Sequence, residues 1–595
     1  MKNQKLLSLL LAGALAAGLY AGFGGQAMAE SASETLAVSE SEATGEEIAI
    51  TLSDAGSVCD SSAVEISGST VTITAEGDYV LTGSLSDGQI VVNAPEDAKV
   101  KLILNGVTIQ NASHAVIYAL SADKLVVRSA ADSENDLQSA GEFVQVDENN
   151  VDAAIFSLCD LTLSGEGVLN ISSLSGHAVY TQDDLKVKGG TINLEAAGKG
   201  LYGNDSVTIE DGTVNADVGT DGVYADNEND GSITVTGGVL NLLCQKDGLD
   251  ATGDILVEDG VVSISAGSGQ EGKGVKSDAS ITVTGGVLNV TSVDDAVHAS
   301  ANVTITGGVL ALSSGDDGIH ADATVSVSGG SVTVSQSYEG IEGQVIDISG
   351  GEIAVSARDD GFNAAGGNDG SNSYGFFGGD PFDTDADASL TISGGVVYVN
   401  ADGDGLDSNG TLNISGGVIY VSGPTNSGNG SLDYGLDATI TGGTVIAVGA
   451  SGMAENFGQN STQGSILLNL SSTQAAGSTV TITDADGTVL ASFQPEKSYS
   501  SVVISAPALV QGGTYTVTAG TETQTVTLTG LIYGSGMGMG GFGGGQMGGG
   551  FGRGQRGGFG DQGGQMNDSF GQGQMNGGFG RGQMGGGPMG GFGRP

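Results

Sequence analysis

Apolar and polar residues alternate in short bursts along most of the chain, and glycine pairs or acid–glycine pairs break the bursts at a nearly constant interval. The register is clearest in residues 280–351, which read SITVTGGVLNVTSVDDAVHASA, then NVTITGGVLALSSGDDGIHADA, then TVSVSGGSVTVSQSYEGIEGQV. The glycine pairs there end at Gly286, Gly308, Gly330 and Gly351, an interval of about 22 residues. Alternation with a period of two predicts strands with one buried face. Repetition in the twenties predicts a solenoid in which each repeat is one supersecondary unit. Each coil should hold three strands, for example 303–305, 309–312 and 318–320. The expected fold is therefore all-β, a parallel β-helix.

Turn glycines continue the register at Gly167, Gly190, Gly212, Gly238, Gly260, Gly395, Gly417 and Gly443. Most steps are 21 to 23 residues; three are 26, which a four-residue loop explains, and the step from Gly351 to Gly395 is 44. That long step holds an insert, 364–388, with no strand pattern of its own, and such loops are commonly functional or disordered. Upstream, 48–150 reads as less regular coils that cap the solenoid, with 132–150 as an acidic loop, and 151–457 reads as the regular helix. Downstream, 458–533 alternates around an Asp486-Gly487 hairpin and reads as a small, separate β-sandwich-like domain. Residues 534–595, rich in Gly, Met and Gln, read as a disordered tail, and 30–47 as a disordered linker.

Residues 1–29 carry Lys2 and Lys5, an apolar run and Ala27-Met28-Ala29, the layout of a secretory signal. The expectation is an exported protein, secreted or held at the cell surface, with no membrane insertion. The 70 acidic residues outnumber 18 basic ones, for a net charge of −52. That charge repels nucleic acid and anionic membranes and favours divalent cations. Cys59, Cys159 and Cys244 are odd in number and widely spaced, so Cys244 reads as a small buried apolar residue. A monomer is expected.

A four-residue phrase recurs once per coil: acid, Gly or Ala, apolar, polar. It appears as Asp221-Gly222-Val223-Tyr224, Asp247-Gly248-Leu249-Asp250, Asp295-Ala296-Val297-His298 and Asp317-Gly318-Ile319-His320, then as Glu339-Gly340-Ile341-Glu342, Asp360-Gly361-Phe362-Asn363 and Asp404-Gly405-Leu406-Asp407. Parity sends the apolar third residue inward and the fourth outward. Coils stack about 4.8 Å apart, so the acids form a column that Asp294, Asp316 and Asp359 double. Two unit charges at that spacing repel by about 1 kcal/mol in water and about 3–4 kcal/mol where partly shielded. The few Lys and Arg residues look insufficient to offset this, which points to Ca²⁺, a cation that takes six to eight oxygens. The alternative is that Asp-Gly is simply good corner chemistry. His298 and His320 read as a stacked polar ladder. Weaker calcium-loop patterns lie at 226–231 and at Asp383, Asp385 and Asp387.

Chemistry beyond metal binding is less marked. Lys199, Lys273, Lys276 and Arg358 lie near the acid phrase and could serve as the base of a polysaccharide lyase. Sugars are commonly held on aromatic faces, and the chain has no Trp. Tyr180, Tyr202 and Tyr224 fill the fourth position in three consecutive coils and form an outward tyrosine column. Tyr374, Phe376, Phe377 and Phe382 in the insert offer a second aromatic surface.

The stretches GDYVLTGSLSDGQIVVNAPEDAKVKLILNGVTIQN, AAIFSLCDLTLSGEGVLNIS and DDLKVKGGTINL resemble a family of secreted bacterial β-helix proteins, the calcium-containing carbohydrate-binding domain proteins. The resemblance covers about residues 48–452. It implies a right-handed parallel β-helix like that of pectate lyases, bound Ca²⁺, and binding without cleavage of cellulose-like or polygalacturonate-like polysaccharide. The competing expectations are a calcium-dependent lyase and a structural surface adhesin.

Overall fold

A computed structural model describes residues 47–229, 231–269, 271–365 and 384–534. The calls on the signal and linker (1–29 and 30–46), on Tyr374, Phe376, Phe377, Phe382 and Asp383, and on the tail (535–595) lie outside the described residues.

The described residues are all-β, with no helix, and wind into a parallel β-solenoid of about 15 turns. Each regular coil contributes one strand to each of three sheets. In one coil these are Val275–Ser277, Ile281–Val283 and Val287–Ser292. Each pairs in parallel with its counterpart a coil later: Val297–Ala299, Asn302–Ile305 and Val309–Ser313. The register is exact in repeat terms, since Val275 faces Val297 and Leu288 faces Leu310. Burial follows the alternation. Leu288 and Val290 are buried while Val287, Asn289 and Thr291 are not. A single apolar core runs from Ile50 to the last coil.

The three lengthened steps fall between Val223–Ala225 and Ser232–Val235, between Val261–Ala266 and Val275–Ser277, and between Val418–Ser422 and Asp437–Ile440. The upstream coils are also parallel, with an antiparallel hairpin of Val64–Ser67 on Thr70–Ile73 near the start. The C-terminal segment continues from the solenoid. Strand Tyr499–Ser505 pairs antiparallel with Thr444–Gly449, the last strand of the third sheet. That strand is buried on both faces: Val445 and Ala447 enter the solenoid core, and Ile446 and Val448 enter a second core shared with Ile466, Val502 and Val517. A four-stranded antiparallel sheet around Val480–Thr483 and Thr514–Ala519 completes this layer. Cys159 and Cys244 are buried free thiols, as expected of Cys244, and Cys59 is free as well.

The corner glycines are required for two separable reasons. Gly308 has φ +84°, and a Cβ there would lie 2.8 Å from the Gly285 carbonyl oxygen of the preceding coil. Gly487 has φ +82° with nothing within 4 Å of such a Cβ. Gly487→Ala should therefore cost about 1–2 kcal/mol for the left-handed backbone alone. Gly308→Ala should cost clearly more, because stacked backbone must move as well. Chemical denaturation of the two variants measures the difference; equal costs would mean that coil-to-coil approach imposes nothing.

Candidate functional site

Corner geometry brings the acid phrase together. The strand register aligns Leu201, Val223, Leu249, Val275, Val297, Ile319, Ile341, Phe362 and Leu406 in one ladder. The residues two positions earlier therefore form a column: Lys199, Asp221, Asp247, Lys273, Asp295, Asp317, Glu339, Asp360 and Asp404. Five of the column's carboxylates have a backbone task, and Asp221 Oδ1 accepts the Asp247 N–H at 3.3 Å. Asp247 Oδ1 accepts the Lys273 N–H at 2.7 Å and Asp295 Oδ1 the Asp317 N–H at 2.9 Å. The Asp404 N–H likewise donates to Asp360, and the Gly430 N–H to Asp404.

The expectation that basic residues cannot offset the column needs correction for its first half. The Lys246 ammonium lies 3.5 Å from Asp221, 3.3 Å from Asp247 and 3.6 Å from Asp250, so it fills the space between three carboxylates that could otherwise hold a metal. Lys199 pairs with Asp221, Lys273 with Asp294 and Asp295, and Lys276 with Asp250. Spacing in sequence hid most of this, because apart from Lys246 with Asp247 and Asp250 the partners are 21 to 26 residues apart and meet only through stacking. In the next coils histidine takes over. His298 Nδ1 lies 2.8 Å from Asp295. His320, fully buried, contacts Asp317 at 3.2 Å and Glu342 at 2.9 Å through Nδ1, and Asp322 through Nε2. Burial opposes charge on His320, but those carboxylates outweigh it and push the imidazole up to about 11. The two imidazoles stack at 4.8 Å, as the ladder reading expected. The parity reading also holds, yet outward does not mean exposed: Asp250, His320 and Glu342 are buried by their neighbours.

The second half of the column is different. Among the described residues, Glu339, Asp359, Asp360, Asp404 and Asp407 form no ion pair with Lys, Arg or His. Arg358 instead donates to the Ser337 and Gly315 carbonyls. Burial, then Asp404 and Glu339, push Asp360 up to about 9. Burial, then Glu342 and Asp317, push Glu339 up to about 9. Asp404 rises to about 7 and Asp407 well above the usual range, chiefly through burial. Sequence reasoning missed two further acids here, Asp433 and Glu455, both pushed up by burial. One oxygen of Glu455 is buried without a hydrogen-bond partner. Asp385 and Asp387 sit in a turn where Asp385 accepts the Asp387 N–H.

The tyrosine column exists and is longer than the phrase suggested. The register stacks Tyr118, Phe156, Tyr180, Tyr202 and Tyr224 on consecutive coils of the first sheet. Ring centroids are 5.7, 4.8, 4.6 and 5.0 Å apart in that order. Tyr118 and Phe156 are buried beneath the acidic loop, where Asp147 accepts the Tyr118 hydroxyl at 2.6 Å. Tyr180, Tyr202 and Tyr224 remain partly accessible. Lys199 Nζ sits 3.3 Å from the Tyr224 ring centroid, and Tyr202 donates to Asp226 at 2.8 Å. Burial and Asp226 push the Tyr202 phenol up, and burial takes Tyr224 up to about 12. The Tyr202 phenol is held as a hydrogen-bond donor to Asp226.

Residues 67–318 match the family model described as carbohydrate-binding domain-containing protein. A carbohydrate-binding domain-containing protein of Acetivibrio thermocellus is 36% identical over 128 residues, which are 21% of this chain and 45% of the relative. The chain thus spans about half the length of the curated relative it matches. The solved structure of a polysaccharide lyase-like protein from C. thermocellum, a gadolinium derivative, is 26% identical with a TM-score of 0.34, covering 47% of this chain and 96% of that one.

The raised carboxyls set a pH dependence whose sign is fixed. An acid with a folded pKa above its unfolded value of about 4 binds more protons when folded, so stability falls as pH rises between the two values. In chelator, the melting temperature should therefore drop from pH 5 towards pH 9, through the window that Asp404 at about 7 and Asp360 at about 9 define. The variant Asp360→Asn should flatten that slope. A flat wild-type profile would refute half-buried carboxyls without cationic partners.

Proposed function

Given the match of residues 67–318 to a carbohydrate-binding domain family, we propose that this chain is an exported polysaccharide-binding β-solenoid braced by Ca²⁺. The observation that carries the binding reading is the aromatic ladder of the first sheet. Its accessible members Tyr180, Tyr202 and Tyr224 present ring edges and phenols on three consecutive coils, a repeating surface suited to a repeating polymer. Aromatic surface with a few placed polar groups is the usual composition of ligand sites. Phenols kept protonated, and lysines already ion-paired, suit holding a glycan rather than abstracting its protons.

Calcium fits the second half of the acid column. Hard carboxylate oxygens recur there coil after coil, without an ion pair to Lys, Arg or His among the described residues, and leaving half-buried carboxylates unpaired is costly. Glu339, Asp359, Asp360, Asp404 and Asp407 would hold the ion. When bound, it supplies the positive charge that Lys246, Lys273 and His320 supply to the earlier coils. Of the residues expected to bind metal, Asp221, Asp247, Asp250, Asp294 and Asp295 already have those tethered partners.

Affinity electrophoresis on cellulose-derived polymer and on polygalacturonate, while following cleavage, tests the binding reading. We expect retention without cleavage, and a loss of about tenfold or more for the paired change Tyr202→Ala and Tyr224→Ala, which is about 1.4 kcal/mol or more. Absence of retention on either polymer would sink the carbohydrate reading; cleavage would promote a lyase.

Calcium is tested separately by thermal melts. Saturating Ca²⁺ at about 100 times its Kd should add about 2.7 kcal/mol per site. The pair Asp360→Asn and Asp404→Asn should abolish that gain, while Asp247→Asn should leave most of it. A calcium effect untouched by the first pair would place the ion elsewhere.

A further inference from the structure

A second aromatic stack stands on a different face, at the C-terminal end of the third sheet. Tyr398 and Tyr420 occupy one outward ladder position in adjacent coils, with ring centroids 5.4 Å apart and planes 29° apart. Phe493, from the C-terminal layer, stacks behind Tyr420 at 4.9 Å and 19°. Phe493 and Tyr420 both pack against the second core, so two parts of the chain fix the stack from behind. Its front is open: Tyr398 is 42% exposed.

The ladder explains the opening. On the coils before Tyr398, the same position holds Ala354, then Thr333, then Ala311. The next rung lies about one coil rise, 4.8 Å, from the ring. Apolar contact needs about 4 Å, so a flat ring can lie against Tyr398 above Ala354, where a larger side chain would collide. The rim is polar and acidic. Glu352 is exposed on the Ala354 strand, and Asn400 donates to the exposed Glu496 at 2.9 Å. The nearby Lys497 is taken up by Asp402 and the Ala401 carbonyl.

We propose that Tyr398 is the wall of a second carbohydrate subsite, which takes a neutral pyranose ring and works without a bound metal. The inference rests on the carbohydrate reading above and adds a site separate from the first-sheet tyrosines. The carboxylates on its rim select against uronate residues, and their hydrogen-bond acceptors suit sugar hydroxyls.

The absence of tryptophan from the chain supplies the test. In Tyr398→Trp the new indole is the sole one, so its emission reports this position alone. Titration with hydroxyethylcellulose in the presence of EDTA should shift that emission saturably, and polygalacturonate should not. In affinity gels with the neutral polymer, Tyr398→Ala should weaken retention at least threefold, additively with Tyr202→Ala, and Tyr398→Phe should retain like the wild type. If the wild type is retained but the Tyr398→Trp emission stays constant and Tyr398→Ala behaves as wild type, this inference is overturned and the carbohydrate reading stands. If no polymer retains the wild type, both fall.

Discussion

Parallel, in-register stacking at about 4.8 Å is the constraint on which the rest of this structure depends. It builds a continuous core from coils that could not bury their apolar face alone. It also places every side chain on the equivalent side chain of the next coil. A repeat that uses an acid at its corner is therefore forced to build a column of like charges. Along this column the chain meets that cost in three ways: most of the carboxylates accept a neighbouring backbone N–H, lysines sit between carboxylates, and His298 and His320 carry the role onward. From Glu339 onward the Lys and His partners stop among the described residues, although Asp360 and Asp404 still accept backbone N–H groups, and the half-buried carboxyls are driven towards their neutral form.

The same stacking turns single aromatic residues into surfaces. One tyrosine per coil would be an ordinary half-buried side chain, whereas five aligned rings make a ribbon whose buried end is closed by the acidic loop over Tyr118. The second stack, at Tyr398, ends where the ladder changes to alanine and threonine, so the substitution pattern along one ladder decides which ring face is open. Both surfaces lie outside the core, and neither interrupts the inward-facing Val, Ile and Leu positions that hold the coils together.

Much of this was legible in advance. The coil length, the three strands per coil, the loop positions and the inward and outward parity all follow from glycine spacing and alternation, because a local pattern repeated without change admits few ways of burying its apolar residues. The acid column and Tyr180, Tyr202 and Tyr224 were legible for the same reason. Tyr118 and Phe156 were missed because the stretch expected as one loop at 132–150 holds a ladder strand, Glu134–Ser139, and the acidic loop that follows it at 140–150 breaks the interval just where the ladder passes beneath. Tyr398 and Tyr420 were missed because the 44-residue step removes the register that would have aligned Tyr398 with Ala354.

The amino-acid sequence by itself determined the solenoid, since period-two alternation and a repeated corner are local instructions that each coil reads independently. Only the tertiary structure decided which charges are neutralised. Lys246 reaches back a full coil to Asp221, and Arg358 spends its guanidinium on carbonyls rather than on the adjacent acids. The C-terminal strands were legible as strands, but their antiparallel pairing with Thr444–Gly449 was not. Such outcomes depend on side-chain reach and competition among partners brought together across coils, quantities that spacing along the chain does not contain.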